Sequence, residues 1–143
     1  MKSFVTASLI VFASSLAFTS PGTAQDYDRA TLGAGKIMYM RCISCHTVTK
    51  NGRNLVGPNL WGIVDSRAGT REGFQGYSEA LKESDILWSI ETLGLYIKNP
   101  AAFLPGTNMI YKGLPKEKDR AALLAYLETE AVKEKAQYEG LRY

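Results

Sequence analysis

Histidine is almost missing from this sequence: one in 143 residues, His46. Cysteine is nearly as scarce, with only Cys42 and Cys45. Two thiols and one imidazole fall short of the four ligands that a structural zinc site takes. No segment alternates strictly between apolar and polar residues, so strands are not expected. A thioredoxin-like redox pair needs a βαβ context and has none here. The formal net charge is +3 with no basic stripe, which argues against nucleic acid as a partner. Repeats and internal linkers are also missing, and the length suits one domain.

One long apolar run is present, "FVTASLIVFASSLAF", Phe4 to Phe18, preceded by Met1-Lys2. A bilayer span takes about 20 apolar residues, and this run is shorter and rich in Ser and Thr. "TSPGTA" follows, with Gly22 and Ala24 spaced like a signal-peptidase site. Residues 1–24 are therefore expected to be a cleaved signal peptide, and residues 25–143 a single exported domain. Outside the cytoplasm a lone cysteine pair could form a disulfide.

The rest reads as helices separated by long loops. "DRATLGAGKIMYMRC" predicts a helix opened by Asp28, with Leu32, Ile37 and Arg41 in helical spacing. Gly33 and Gly35 lower its propensity, as residues do where another helix must come close. From His46 to Tyr77 the chain is glycine-rich and loop-like, long enough that it should wrap something. Ser78 is placed to cap a short helix. "WSIETLGLYIKN" puts Ile90, Leu93 and Ile97 on one face and stops at Asn99-Pro100. "PAAFLPGTNMIYKGLP" reads as irregular. "KEKDRAALLAYLETEAVKEKAQ" is a long amphipathic helix with Leu123, Leu124, Leu127 and Ala131 as its buried stripe. The class is all-α, with so few helices that a large apolar cofactor would help fill the centre.

Cys42, Cys45 and His46 form a C-x-x-C-H run, the attachment signature of c-type haem. Two thiols one helical turn apart can add to the two vinyl groups of a porphyrin, and the next residue offers a neutral imidazole to the iron. A plain disulfide would not need the adjacent histidine. A second histidine ligand is impossible. Of four methionines, Met1 leaves with the signal peptide, and Met38 and Met40 lie on the attachment side. Met109 remains as sixth ligand, a soft thioether that raises the potential of a His-ligated haem. If Met109 were only a core methionine, the iron would keep an open site, and a haem enzyme or gas-binding cytochrome would be the alternative.

With these motifs, the chain resembles the class I cytochromes c of bacterial periplasms, relatives of the mitochondrial carrier. The resemblance covers about Gly35 to Leu127 through "CISCHTV", "VGPNLWGIV", "YSEAL", "LYIKNPAAFLPGTNMIYKGL" and "DRAALLAYL" in order. It implies N- and C-terminal helices that cross and loops that wrap one haem c, bound through Cys42 and Cys45. It implies iron ligation by His46 and Met109, with the Pro58 carbonyl orienting His46. Tyr77 and Trp88 would donate to a haem propionate, Thr107 would place a hydroxyl near the propionates, and Tyr96 would lie beside the axial sulfur. Tyr126 and Leu127 would face the first helix, with Tyr126 mainly a packing residue.

Three departures stand out. The family's Gly-Arg after "WGIV" is replaced by Asp65-Ser66, leaving Arg67 one residue late to meet a propionate. Gly76 is inserted before Tyr77. Lysines usual near the haem edge are thinned to Ala101, Ala102 and Asn108, leaving Lys36, Arg41, Lys112 and Lys116 as a weaker basic rim. The resemblance implies a soluble, monomeric periplasmic electron carrier and not an enzyme. Its implied partners are a quinol–cytochrome c reductase and a terminal oxidase or other oxidoreductase, met by transient, peripheral docking to membrane complexes.

Overall fold

The structure, a computed structural model, describes residues 26–132. The expected signal peptide, the C-terminal tail and the side chain of Ala131 lie outside what is described. Five helices follow in order: α1 Arg29–Tyr39, α2 Glu79–Lys82, α3 Ile90–Lys98, α4 Pro100–Phe103 and α5 Glu117–Val132. Among the described residues there is no strand, only one isolated antiparallel bridge, Arg67 to Leu87. No helix there is long and apolar enough to cross a membrane.

α1 starts where the sequence predicts, because the Asp28 side chain accepts the Thr31 N–H at 2.8 Å and satisfies one of the orphan donors of the first turn. It crosses α5 at Gly35. A Cβ there would overlap the Ala122 carbonyl oxygen and come within 2.7 Å of Tyr126 Cβ. Gly35, and not Gly33, is thus the residue that lets the two backbones meet. One turn on, Tyr39 is buried and its ring lies 5.5 Å from that of Tyr126. Leu123 and Leu127 of α5 are buried in the same core, and each fully buried leucine contributes about 1.5–3 kcal/mol.

Ile37 is 64% exposed. The crossing fixes Gly35 and Tyr39 as the inner stripe, and a residue two positions from Gly35 lies about 200° around the helix, toward solvent.

α2 and α3 form as predicted, capped by Ser78 and Ser89, the latter in a reciprocal capping box with Thr92. Leu93, Tyr96 and Ile97 are the buried face of α3, with Ile90 at its margin. The segment after Asn99 is not wholly irregular, as the sequence suggested. Asn99 ends α3 and also caps α4 by accepting the Ala102 N–H at 3.2 Å, with Pro100 at the first helical position. The residues between α1 and α2 are held by scattered hydrogen bonds rather than a ladder. Trp88 N–H donates to the Ser66 carbonyl at 2.8 Å, Asp65 N–H to the Trp88 carbonyl at 2.8 Å, and Ala68 N–H to the Ile86 carbonyl at 2.9 Å. Asp65 sits in the left-handed region, φ 63°.

Candidate haem site

Past α1 the chain tightens into a turn. The Cys42 carbonyl accepts the N–H of Cys45 at 3.0 Å and of His46 at 2.8 Å. One backbone oxygen thereby gathers both thiols and the imidazole at one place. Burial, then the neighbouring Cys45, pushes the Cys42 thiol up to about 11, against the opposing charge of Arg41. No disulfide joins Cys42 to Cys45.

His46 is oriented from three sides. Its Nδ1 lies 2.7 Å from the Pro58 carbonyl oxygen, which can only accept, so Nδ1 carries the proton and Nε2 keeps its lone pair. Burial lowers the His46 pKa, and the Pro58 bond opposes that shift. Gly57 lies flat against the ring, since a Cβ there would come within 2.7 Å of Nδ1 and 2.8 Å of Nε2. Tyr39 donates its hydroxyl to the His46 carbonyl at 2.9 Å. Burial lifts that phenol to about 12.

The loop that carries Pro58 is stitched by a buried residue the sequence reading missed. Asn59 is 5% exposed. Its amide donates to Thr47 Oγ1 at 2.5 Å and to the Thr49 carbonyl at 3.0 Å, and accepts from Trp61 N–H at 2.9 Å. A buried amide so fully satisfied fixes one loop shape. The only sequence signal was its place directly after Gly57-Pro58.

Met109 is half-buried and packs against the core. Its N–H donates to Thr107 Oγ1 at 3.3 Å, and Thr107 Oγ1 lies 2.6 Å from the Tyr96 hydroxyl. Tyr96 and Thr107 therefore come together next to Met109, through a pairing the sequence did not reveal. Trp88 is buried with its ring 5.0 Å from Tyr96. Met40 is exposed at the end of α1 and Met38 is half-buried within it, both leading into Cys42.

Tyr77 packs edge-on against Phe74, and its hydroxyl accepts the Arg71 N–H at 3.2 Å. Arg67 does not join it. Its guanidinium pairs with Asp85, and both side chains are largely exposed. Tyr126 is a packing residue of the helix crossing. Tyr111 has a buried hydroxyl with no hydrogen-bond partner. Burial, then Cys42, raises its pKa, and the Arg41 side chain close to the hydroxyl acts the other way. Lys36, Arg41, Lys112 and Lys116 are all exposed, and so are Ile43 and Ile110.

The donor set fits a haem: two thiols on one turn, an imidazole with Nε2 available, and a flat glycine wall beside the ring. Among the described residues, no cluster of His, Cys, Asp and Glu could hold a bare metal ion instead.

Comparison with known proteins gives one answer. The family model for cytochrome c matches residues 32–131. Cytochrome c of Trypanosoma brucei brucei is 50% identical over 80 residues, covering 56% of this chain and 85% of that protein. Cytochrome c of Theileria parva is 44% identical over 92 residues, 64% of this chain and 78% of the relative. Cytochrome c-550 of Ancylobacter novellus is 41% identical over 98 residues, 66% of this chain and 91% of the relative.

Proposed function

The chain belongs to the cytochrome c family, as a class I haem electron-transfer protein and not an enzyme, and from that premise we propose its ligands, its location and its partners. Haem c is attached through Cys42 and Cys45. The iron ligands are His46 and Met109. The domain runs over residues 25–143, with residues 1–24 removed on export to the periplasm. There the soluble monomer carries one electron between a quinol–cytochrome c reductase and a terminal oxidase or other oxidoreductase.

The observation that carries this reading is the His46–Pro58 pair. The carbonyl holds the proton on Nδ1, so Nε2 stays an unprotonated donor in both charge states of the site. Gly57 blocks the ring from tilting. On the other side, Thr107 takes the Met109 N–H and Tyr96 holds Thr107, so the thioether is presented from a fixed backbone. When bound, the haem supplies the one-electron Fe(III)/Fe(II) couple. The polypeptide contributes two ligands whose supports need no proton transfer or rotation, which keeps reorganisation small. Pro58, Tyr77, Trp88, Tyr96 and Thr107 complete the proposed cofactor-binding set.

The test is the visible spectrum of the oxidised protein. It should show the charge-transfer band of an iron–thioether bond. Met109→Ala should abolish the band and let carbon monoxide bind the reduced protein. A wild type without the band that binds carbon monoxide readily would move the reading to a gas-binding cytochrome.

A further inference from the structure

A haem brings two carboxylates with it, and a carboxylate drawn out of bulk water needs a cation and hydrogen-bond donors. Among the described residues, only two basic side chains are withdrawn from full exposure, Arg71 and Arg120. Arg120 is committed to the chain: its Nη1 donates to the carbonyls of Leu114 at 2.9 Å and Pro115 at 2.5 Å, just before α5. Arg71 is committed far less. Its guanidinium donates one hydrogen bond, to the Trp61 carbonyl, out of five N–H donors in a planar fork.

Tyr77 stands beside it with a matching surplus. The Arg71 backbone N–H occupies a lone pair of the phenol oxygen, which leaves the O–H hydrogen to be donated. Burial raises the Tyr77 pKa, and the Arg71 backbone N–H, then the Arg71 charge, pull against that rise. The other charged groups nearby in the loop are outward. Lys50 lies over the Trp61 ring at 5.9 Å, Asp65 and Glu72 are exposed, and Arg67 is held by Asp85.

We propose that Arg71 and the Tyr77 hydroxyl form the carboxylate-binding pair for a haem propionate in this chain, in place of Arg67. The assignment rests on the haem reading above. It places the compensating charge on the 69–77 segment, which Asn54 also ties down by donating to the Glu72 carbonyl at 3.1 Å. Arg71 acts as a cofactor-binding residue: a positive charge beside the propionate keeps the carboxylate ionised and disfavours the extra positive charge of ferric iron.

The experiment is redox titration of the full holoprotein from about pH 5 to 9. Arg71→Gln should shift the Fe(III)/Fe(II) equilibrium toward the ferric form about tenfold, the scale of losing one neighbouring opposite charge. It should also raise the propionate pKa, so that the potential becomes pH-dependent near neutrality. Arg71→Lys should restore most of the wild-type profile, and Arg67→Gln should leave it unchanged. Equal loss of thermal stability in both Arg71 variants with an unmoved pH profile would make Arg71 a strap on the Trp61 carbonyl, and overturns the proposal. A shift produced by Arg67→Gln alone overturns it as well. Covalent haem on a denaturing gel is read in parallel. Its loss from the wild type defeats the functional reading, while retained haem with an unmoved profile defeats only the Arg71 assignment.

Discussion

The two sides of the site are built by different means. His46 is held by neighbours in sequence: Cys42 four residues back, Gly57 and Pro58 about a dozen ahead. Met109 is held through Thr107 two residues back, which takes its N–H at 3.3 Å and is met in turn by Tyr96 of α3. The spans closed are alike, twelve residues from His46 to Pro58 and eleven from Tyr96 to Thr107. What differs is where the restraint falls: the His46 ring itself is held, by Pro58 and against Gly57, whereas the hydrogen bonds of Met109, the proposed second ligand, are to its backbone. The attachment side should therefore be the more robust half.

The largest effect that would break this contrast is loss of the attachment itself. Cys42→Ser with Cys45→Ser should abolish covalent haem, read as loss of haem staining on a denaturing gel. Retention of haem there would show that the turn is not the anchor.

Gly57→Val comes next, and it strikes the robust side. A side chain forced into the His46 ring should cost about 1–3 kcal/mol, as overpacking does, seen as a lowered Tm of the holoprotein. An unchanged Tm would mean the ring can move, and the contrast would lose its basis.

Tyr96→Phe is milder and strikes the other side. Losing one hydrogen bond should cost about 1 kcal/mol. It should weaken the iron–thioether band while leaving covalent haem intact. A variant that loosened both sides equally would show the site to be one cooperative unit.

The smallest effect is a pH effect on the same residue. Burial raises the Tyr96 pKa above the ordinary phenol range, with the Thr107 bond opposing. The neutral phenol is therefore the form the fold favours. Its contribution is fully present below about pH 10, the unfolded value, and is lost as pH rises through the higher folded value. Alkaline titration of stability should show that loss in wild type and a smaller one in Tyr96→Phe.

The same contrast explains what could be read from the sequence. The attachment turn was legible because its residues are consecutive, and the all-α class followed from helical spacing in α3 and α5. Gly35 was anticipated as one of two crossing points, although which glycine met α5 needed the packing. α4 was missed because Asn99-Pro100 reads as a stop, yet the asparagine side chain starts the next helix. Arg67 drew attention by its closeness to a family position. The bridge to Leu87 and the pull of Asp85 turn it outward, and no spacing argument reveals that. Arg71 and Asn59 were invisible for the same reason: their importance lies in burial and partners.

The stretch from Ile97 to Leu114 is closed where Leu114 N–H returns to the Ile97 carbonyl at 2.9 Å, and Tyr96 ties it again partway along, at Thr107. In kinetic terms it is a closed ring with Met109 inside it. Such a ring opens and shuts as a unit. Its opening would move Met109, the proposed sixth ligand, while the separate turn that gathers Cys42, Cys45 and His46 stays closed.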